Sequence, residues 1–119
     1  AAGHYVARPN IINLHGVTAA MAVAILIDHT DEPTSATALA QLRAEHAALF
    51  DGGESAGAVT APDIDDVTLI AAAVASGEAH AVKLVEACRR GRVATGDPIF
   101  LAAAHRVVRR GLRALSADA

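Results

Sequence analysis

The sequence has no tryptophan, one tyrosine and two phenylalanines, so aromatics make up 3% of its 119 residues. A sheet core built on aromatic and β-branched pairs lacks its material. Aromatic platforms for stacking nucleic-acid bases are short of theirs too. One cysteine, Cys88, excludes an internal disulfide and suits a reducing, cytoplasmic setting, where it reads as a small core residue. Positive charge is not in excess. The net charge of −3 leaves neither nucleic acid nor an anionic membrane surface as the default partner. Long apolar runs are missing as well: "MAVAILI", residues 21–27, is strongly apolar but short and closely flanked by polar residues, so no membrane span is expected. The opening "AAGHYV" has no basic region followed by an apolar one, so no secretion signal is expected. It also has no initiator methionine, as in a processed product or a piece of a longer chain.

What is present points to helices. Hydrophobic residues make up 53% of the chain and alanine supplies much of that, which favours closely packed helices and an all-α fold. The length suits one domain, yet it is small for an enzyme that must enclose a substrate, so the chain is expected to belong to a larger helical assembly. Charge is unevenly placed. Ten of the thirteen acids lie between Asp28 and Glu78, and eight of the ten bases lie between Lys83 and Arg113. The two parts can attract each other or a second chain.

About five helices are expected. Residues 1–10 read as an arm, because Pro9 disfavours helix before it and Asn10 can cap a helix starting at Ile11. Residues 11–50 read as a helical pair. The first helix, from Ile11 to the acids around Pro33, is apolar nearly all round and therefore expected to be buried. The second starts at Thr34 or Ser35 and ends at the "DGG" of residues 51–53. Residues 51–63, with Gly52, Gly53 and Gly57, read as a mobile loop or linker. Residues 64–119 form a helical C-terminal part: a helix capped by Asp63 or Asp65 and closed at Gly77, a helix to about Arg90 with Gly91 as its stop, and a long helix started by Asp97 and Pro98.

Two segments hold candidate chemistry. In "EAHAVKLVEAC", residues 78–88, His80 and Lys83 are one turn apart. His80 lies at the edge of a face made by Ala81, Leu84, Val85 and Cys88, and Lys83 lies towards Glu86 and Arg90. Helical geometry alone favours a partly buried core histidine and an exposed lysine paired with Glu86. In "INLHGVTAAMA", residues 12–22, His15 projects along the side of Ala19, Ala22 and Leu26, where small side chains leave space. A buried imidazole there needs a partner, which a metal, a backbone carbonyl or Thr18 can supply.

Together with a third segment these stretches resemble the questin oxidase-like family. The resemblance rests on "LHGVTAAMA", "IAAAVASGEAHAVKLVEACRR" and "TGDPIFLAAAHR", in that order and with short connections. It implies an oxygenase acting on polycyclic aromatic polyketides with dioxygen and non-heme iron, the iron held by histidines and an N-carboxylated lysine. On that resemblance His15 and His80 are Fe(II) ligands, Lys83 is the lysine that takes up carbon dioxide and serves as both catalytic residue and ligand, and Met21, Leu84 and Phe100 line the substrate cavity. Carboxylation needs a neutral amine, which burial favours, and turns a cation that repels iron into an anionic oxygen ligand. Family members are several times longer, so the remaining ligands and much of the cavity are expected from a second polypeptide carrying the N-terminal part. His29 lies too far along its helix to share an ion with His15. His46 and His105 read as ordinary helix residues, and His4, on the arm, as the one histidine able to swing towards a site.

The rival reading is a non-catalytic helical interaction module with its histidines in the core. Its docking surface is the stripe Arg106, Arg109, Arg110 and Arg113, suited to the acids of a partner chain rather than to nucleic acid.

Overall fold

A computed structural model describes residues 1–50 and 53–117, with the side chains of Phe50 and of residues 110–117 outside that description. The chain is all helical. Its elements are α1 (Ala2–Ala7), α2 (Ile11–Leu26), α3 (Glu32–Phe50), α4 (Asp66–Ala75), α5 (Ala79–Thr95) and α6 (Pro98–Ala117), with a 3-10 turn over Ile27–His29 after α2. No strand occurs among the described residues.

Short polar side chains set the helix starts by accepting hydrogen bonds from otherwise unpaired amides of the first turn. Asn10 Oδ1 accepts from the Asn13 amide at 2.8 Å, Asp65 Oδ1 from Thr68 at 2.7 Å, and Asp97 Oδ1 from Ile99 at 2.9 Å. Asp31 does the same for Thr34 at 2.8 Å, so α3 begins before the threonine and serine read as its cap.

α5 and α6 form the centre, with α1, α2 and α4 packed around them. Leu69, Leu84, Ala103 and Val108 are fully buried, and Val17 and Cys88 nearly so. Alanines and one glycine let these helices approach closely. A Cβ built on Gly91 would stand 2.5 Å from the Phe100 ring, so this glycine is a seat for α6 rather than the expected helix stop. α5 instead runs four residues further, to Thr95, and ends on Gly96, whose φ of 72° is the left-handed conformation that favours glycine.

The opening segment also differs from expectation. It is a helix that buries Ala2 and Tyr5 against the core. The side chain of Asn13 explains how it is held: its Nδ2 donates to the carbonyl of Arg8 at 2.7 Å and to that of His4 at 3.3 Å, satisfying the end of α1 from the first turn of α2. Asn13 is the one buried polar residue among those described. The described part of the expected loop, residues 53–63, has no regular structure and is pinned to α1 by a 2.9 Å bond from the Ala56 amide to the Gly3 carbonyl.

The largest departure concerns α2. Only Asn13, Leu14 and Val17 are buried in it, while Ile11, Ile12 and Leu26 are at least half exposed. Residues Ile11–His29 are, by length and composition, the one stretch among the described residues that could cross a membrane, longer than the seven-residue run "MAVAILI". In the fold they pack on α1, α3 and α5. No residue of α3 from Glu32 to Leu49 is buried. The radius of gyration, 15.0 Å, exceeds the roughly 13.5 Å of a compact chain of this length. Two helices thus keep most of their surface exposed.

Candidate functional site

α2 and α5 lie side by side and run in the same direction. Residue order along their shared groove shows this: His15 meets His80, Thr18 and Ala22 line it with Lys83, Met21 and Ile25 with Glu86, and Asp28 with Arg90. Partners therefore differ by about sixty-five positions, and the two resembling segments form one surface. This register brings the two imidazoles together, with ring centroids 5.4 Å apart and ring planes at 65°.

Both histidines are exposed. For His15 the reason is that its whole side of α2, with Ala19, Ala22 and Leu26, faces outward. The space beside the imidazole is open surface rather than an internal pocket. His80 likewise sits outside the core that Ala81, Leu84, Val85 and Cys88 enter. Neither the core-histidine reading nor an enclosed one describes them.

Lys83, one turn after His80, is exposed and lines the groove. The partner expected for it, Glu86, is engaged by Arg90 instead. The enclosure on which the expected carbamate depends is not provided by the described residues.

The three expected lining residues separate. Met21 is half-buried on the groove. Leu84 is 0% exposed inside the core. Phe100 lies against Gly91, in a crevice with Leu69 and Cys88. Leu84 and Phe100 thus support the helix that carries His80 without lining the groove. Beyond Met21 the groove widens to about 560 Å³, the size of a small-molecule site, with an apolar wall from Ile25 and Val93 and a charged rim of Asp28, Glu86 and Arg90. His29 stands at this far end, away from His15.

Two imidazoles bound to one ion at metal–nitrogen distances of about 2.1 Å would have centroids roughly 4.5–5.3 Å apart. The observed 5.4 Å lies a small rotation away from that range. The same separation and tilt are also those of an ordinary edge-to-face ring contact. No group of three or more histidine, cysteine, aspartate or glutamate side chains that could hold a metal ion forms among the described residues.

The other histidines take no part. His4 is on α1, where its Nδ1 is 2.7 Å from the Glu54 carbonyl and its ring is 5.7 Å from that of His46 on α3. It is a docked side chain rather than one free to swing. His105 is half-buried on α6. Arg106 and Arg109 are exposed on α6, while the side chains of Arg110 and Arg113 lie outside the described residues.

Several charged groups have structural roles that sequence patterns did not single out. Asp66 at the start of α4 takes Arg89 at 3.1 Å and Arg92 at 3.2 Å, so the acidic and basic parts of the chain do meet within it. Burial pushes the Cys88 thiol up to about 12, which suits an inert core residue. No known family model, curated protein or solved structure matches the chain.

Proposed function

We propose that this chain is the helical C-terminal part of a questin oxidase-like oxygenase that uses dioxygen and non-heme iron to oxidise or cleave a polycyclic aromatic substrate. The observation that supports this reading is the meeting of His15 and His80, which come from the two most characteristic segments and sit on parallel helices with rings 5.4 Å apart. Bound Fe(II) would supply dioxygen activation. The chain's own contribution is to hold two imidazoles side by side at one end of a groove, with Lys83 one turn further along it. Met21 and Ile25 give the groove an apolar wall for a flat ring system. The outward face of α2 is where a second polypeptide would dock, add ligands and enclose Lys83.

The second reading, a helical interaction module, draws on the same face: Ile11, Ile12, Ile25 and Leu26 are all exposed on α2. Metal dependence separates the two. The chain, purified with any polypeptide that accompanies it, should carry about one iron by elemental analysis and consume dioxygen with an anthraquinone-type substrate. His80→Ala should lose the iron and Lys83→Ala should lose most of the activity. Absence of bound metal from every form would leave the interaction module as the function.

A further inference from the structure

The outward side of α2 has an order of its own. At about 100° per residue, Ile11, Ile12, His15, Ala19, Ala22 and Leu26 fall within an arc of about 100°, and every one of them is exposed. α3 and α5 both pack on α2 but leave this stripe open between them. Its large side chains stand at the ends, Ile11 and Ile12 at one and Leu26 at the other, each at least half exposed, and its middle is alanine. No charged residue occurs from Pro9 to Ile27. Charge resumes just outside the stripe, with Arg8 before it and Asp28, Asp31 and Glu32 after it, all exposed. Arg8, Asp28 and Glu32 take part in no ion pair among the described residues.

We infer that the stripe is the seam of a homodimer, in which α2 packs antiparallel against α2 of a second copy about a two-fold axis near Thr18 and Ala19. Crossed helices are closest at their point of contact and diverge from it, so alanines at the middle and larger side chains at the ends match the gap to be filled. The two-fold axis sets Ile11 of each copy against Leu26 of the other, and His15 against Ala22. Charge selects this direction. A parallel pair would set Arg8 against Arg8 and the three carboxylates against their own copies, whereas the antiparallel pair brings Arg8 to Asp28, Asp31 and Glu32 at both ends. The same charges count against a lipid surface as the occupant, although Ile11–His29 has the length and composition of a membrane span. A helix that lies on a membrane carries lysine or arginine along its polar side, and α2 has neither, while carboxylates follow its end. The seam needs no iron at His15 and His80, and the second copy takes the position that the proposed function gives to a second polypeptide.

The test is sedimentation equilibrium of the whole chain in chelator-treated buffer, which reads the pairing apart from any metal chemistry. The native chain should dimerise. Leu26 is 59% exposed, so Leu26→Glu should keep its helical circular dichroism while weakening the dimer about tenfold or more. Arg8→Glu should weaken it too, and adding Asp28→Lys and Glu32→Lys to that variant should restore it. Direction is read by disulfide linkage, with Cys88 out of reach in the core. A mixture of Ile11→Cys and Leu26→Cys chains should form a linked mixed dimer that neither chain forms with itself. The proposal fails if the native chain is monomeric at about 100 μM, if Leu26→Glu pairs as well as the native chain, or if each cysteine variant links to its own copies. It fails equally if the chain stays monomeric and binds phosphatidylcholine vesicles through α2.

Discussion

His15 and His80, sixty-five positions apart in the chain, present their imidazoles to each other across two parallel helices. The register of α2 against α5 creates this relationship. α2 is in turn tied to α1 by Asn13, whose side-chain amide binds the carbonyls of His4 and Arg8.

Asn13→Ala should destabilise the fold by about 1–3 kcal/mol, because it removes the side-chain donor of the Arg8 carbonyl and the second, longer bond to the His4 carbonyl, which keeps the Arg8 amide. Denaturant unfolding measures this. A value near zero would mean that water satisfies those carbonyls equally well.

At Gly91 two effects oppose each other. Alanine improves helix propensity by about 1 kcal/mol, but the added methyl meets the Phe100 ring, and overpacking of that kind costs about 1–3 kcal/mol. The net expectation for Gly91→Ala is a destabilisation of about 1 kcal/mol with Phe100 displaced, measured by thermal unfolding and by the ring's NMR shifts. Removing the ring as well, in Gly91→Ala with Phe100→Leu, should recover part of the loss.

Cys88 gives a prediction about reactivity. It is 1% exposed, and burial raises its thiol to about 12, so the folded protein should resist a thiol reagent at pH 8 and react only as fast as it unfolds. Rapid labelling under native conditions would show that α5 and α6 separate readily.

Acid stability should depend on the helix caps. Asp65 accepts hydrogen bonds from the Thr68 amide and hydroxyl, which hold its carboxyl below the usual 3.8. A carboxyl lowered in the folded state stabilises fully above its unfolded value and loses that contribution as pH falls through its folded value. The melting-temperature gap between the native chain and Asp65→Ala should therefore be widest at neutral pH and shrink below about pH 3.8. A gap that does not narrow in acid would remove the cap from the stability account.

Much of the fold was legible because its signals are local. Asn10, Asp65 and Asp97 are short side chains placed just before apolar runs, and each caps the helix it was expected to cap. Gly91 misled because a glycine followed by an arginine and a valine reads as a stop, whereas its role is set by Phe100, nine residues on in another helix. α1 was hidden by Pro9, which restricts the residue before it but says nothing about a helix ending at Ala7. The burial of α2 was overestimated for a physical reason: apolar residues on every side show what a helix can bury, not what this chain supplies to cover it. The candidate site was half legible. Spacing placed Lys83 beside His80 on one helix, but only the parallel register of α2 and α5 brings His15 to them. Leu84 and Phe100 belong to the core and to the α5 and α6 contact, a distinction of helix face that depends on which neighbours pack where.

Titration of the whole chain with a paramagnetic divalent ion such as Co(II), monitored through the histidine ring signals, tests the central claim most directly. Signals of His15 and His80 should shift or broaden together at the same ion concentration, ahead of His29 and His105, and His15→Ala should abolish the response at His80. Independent responses of His15 and His80, or an unchanged response of His80 in His15→Ala, would contradict the claim that the two imidazoles act as one ligand pair.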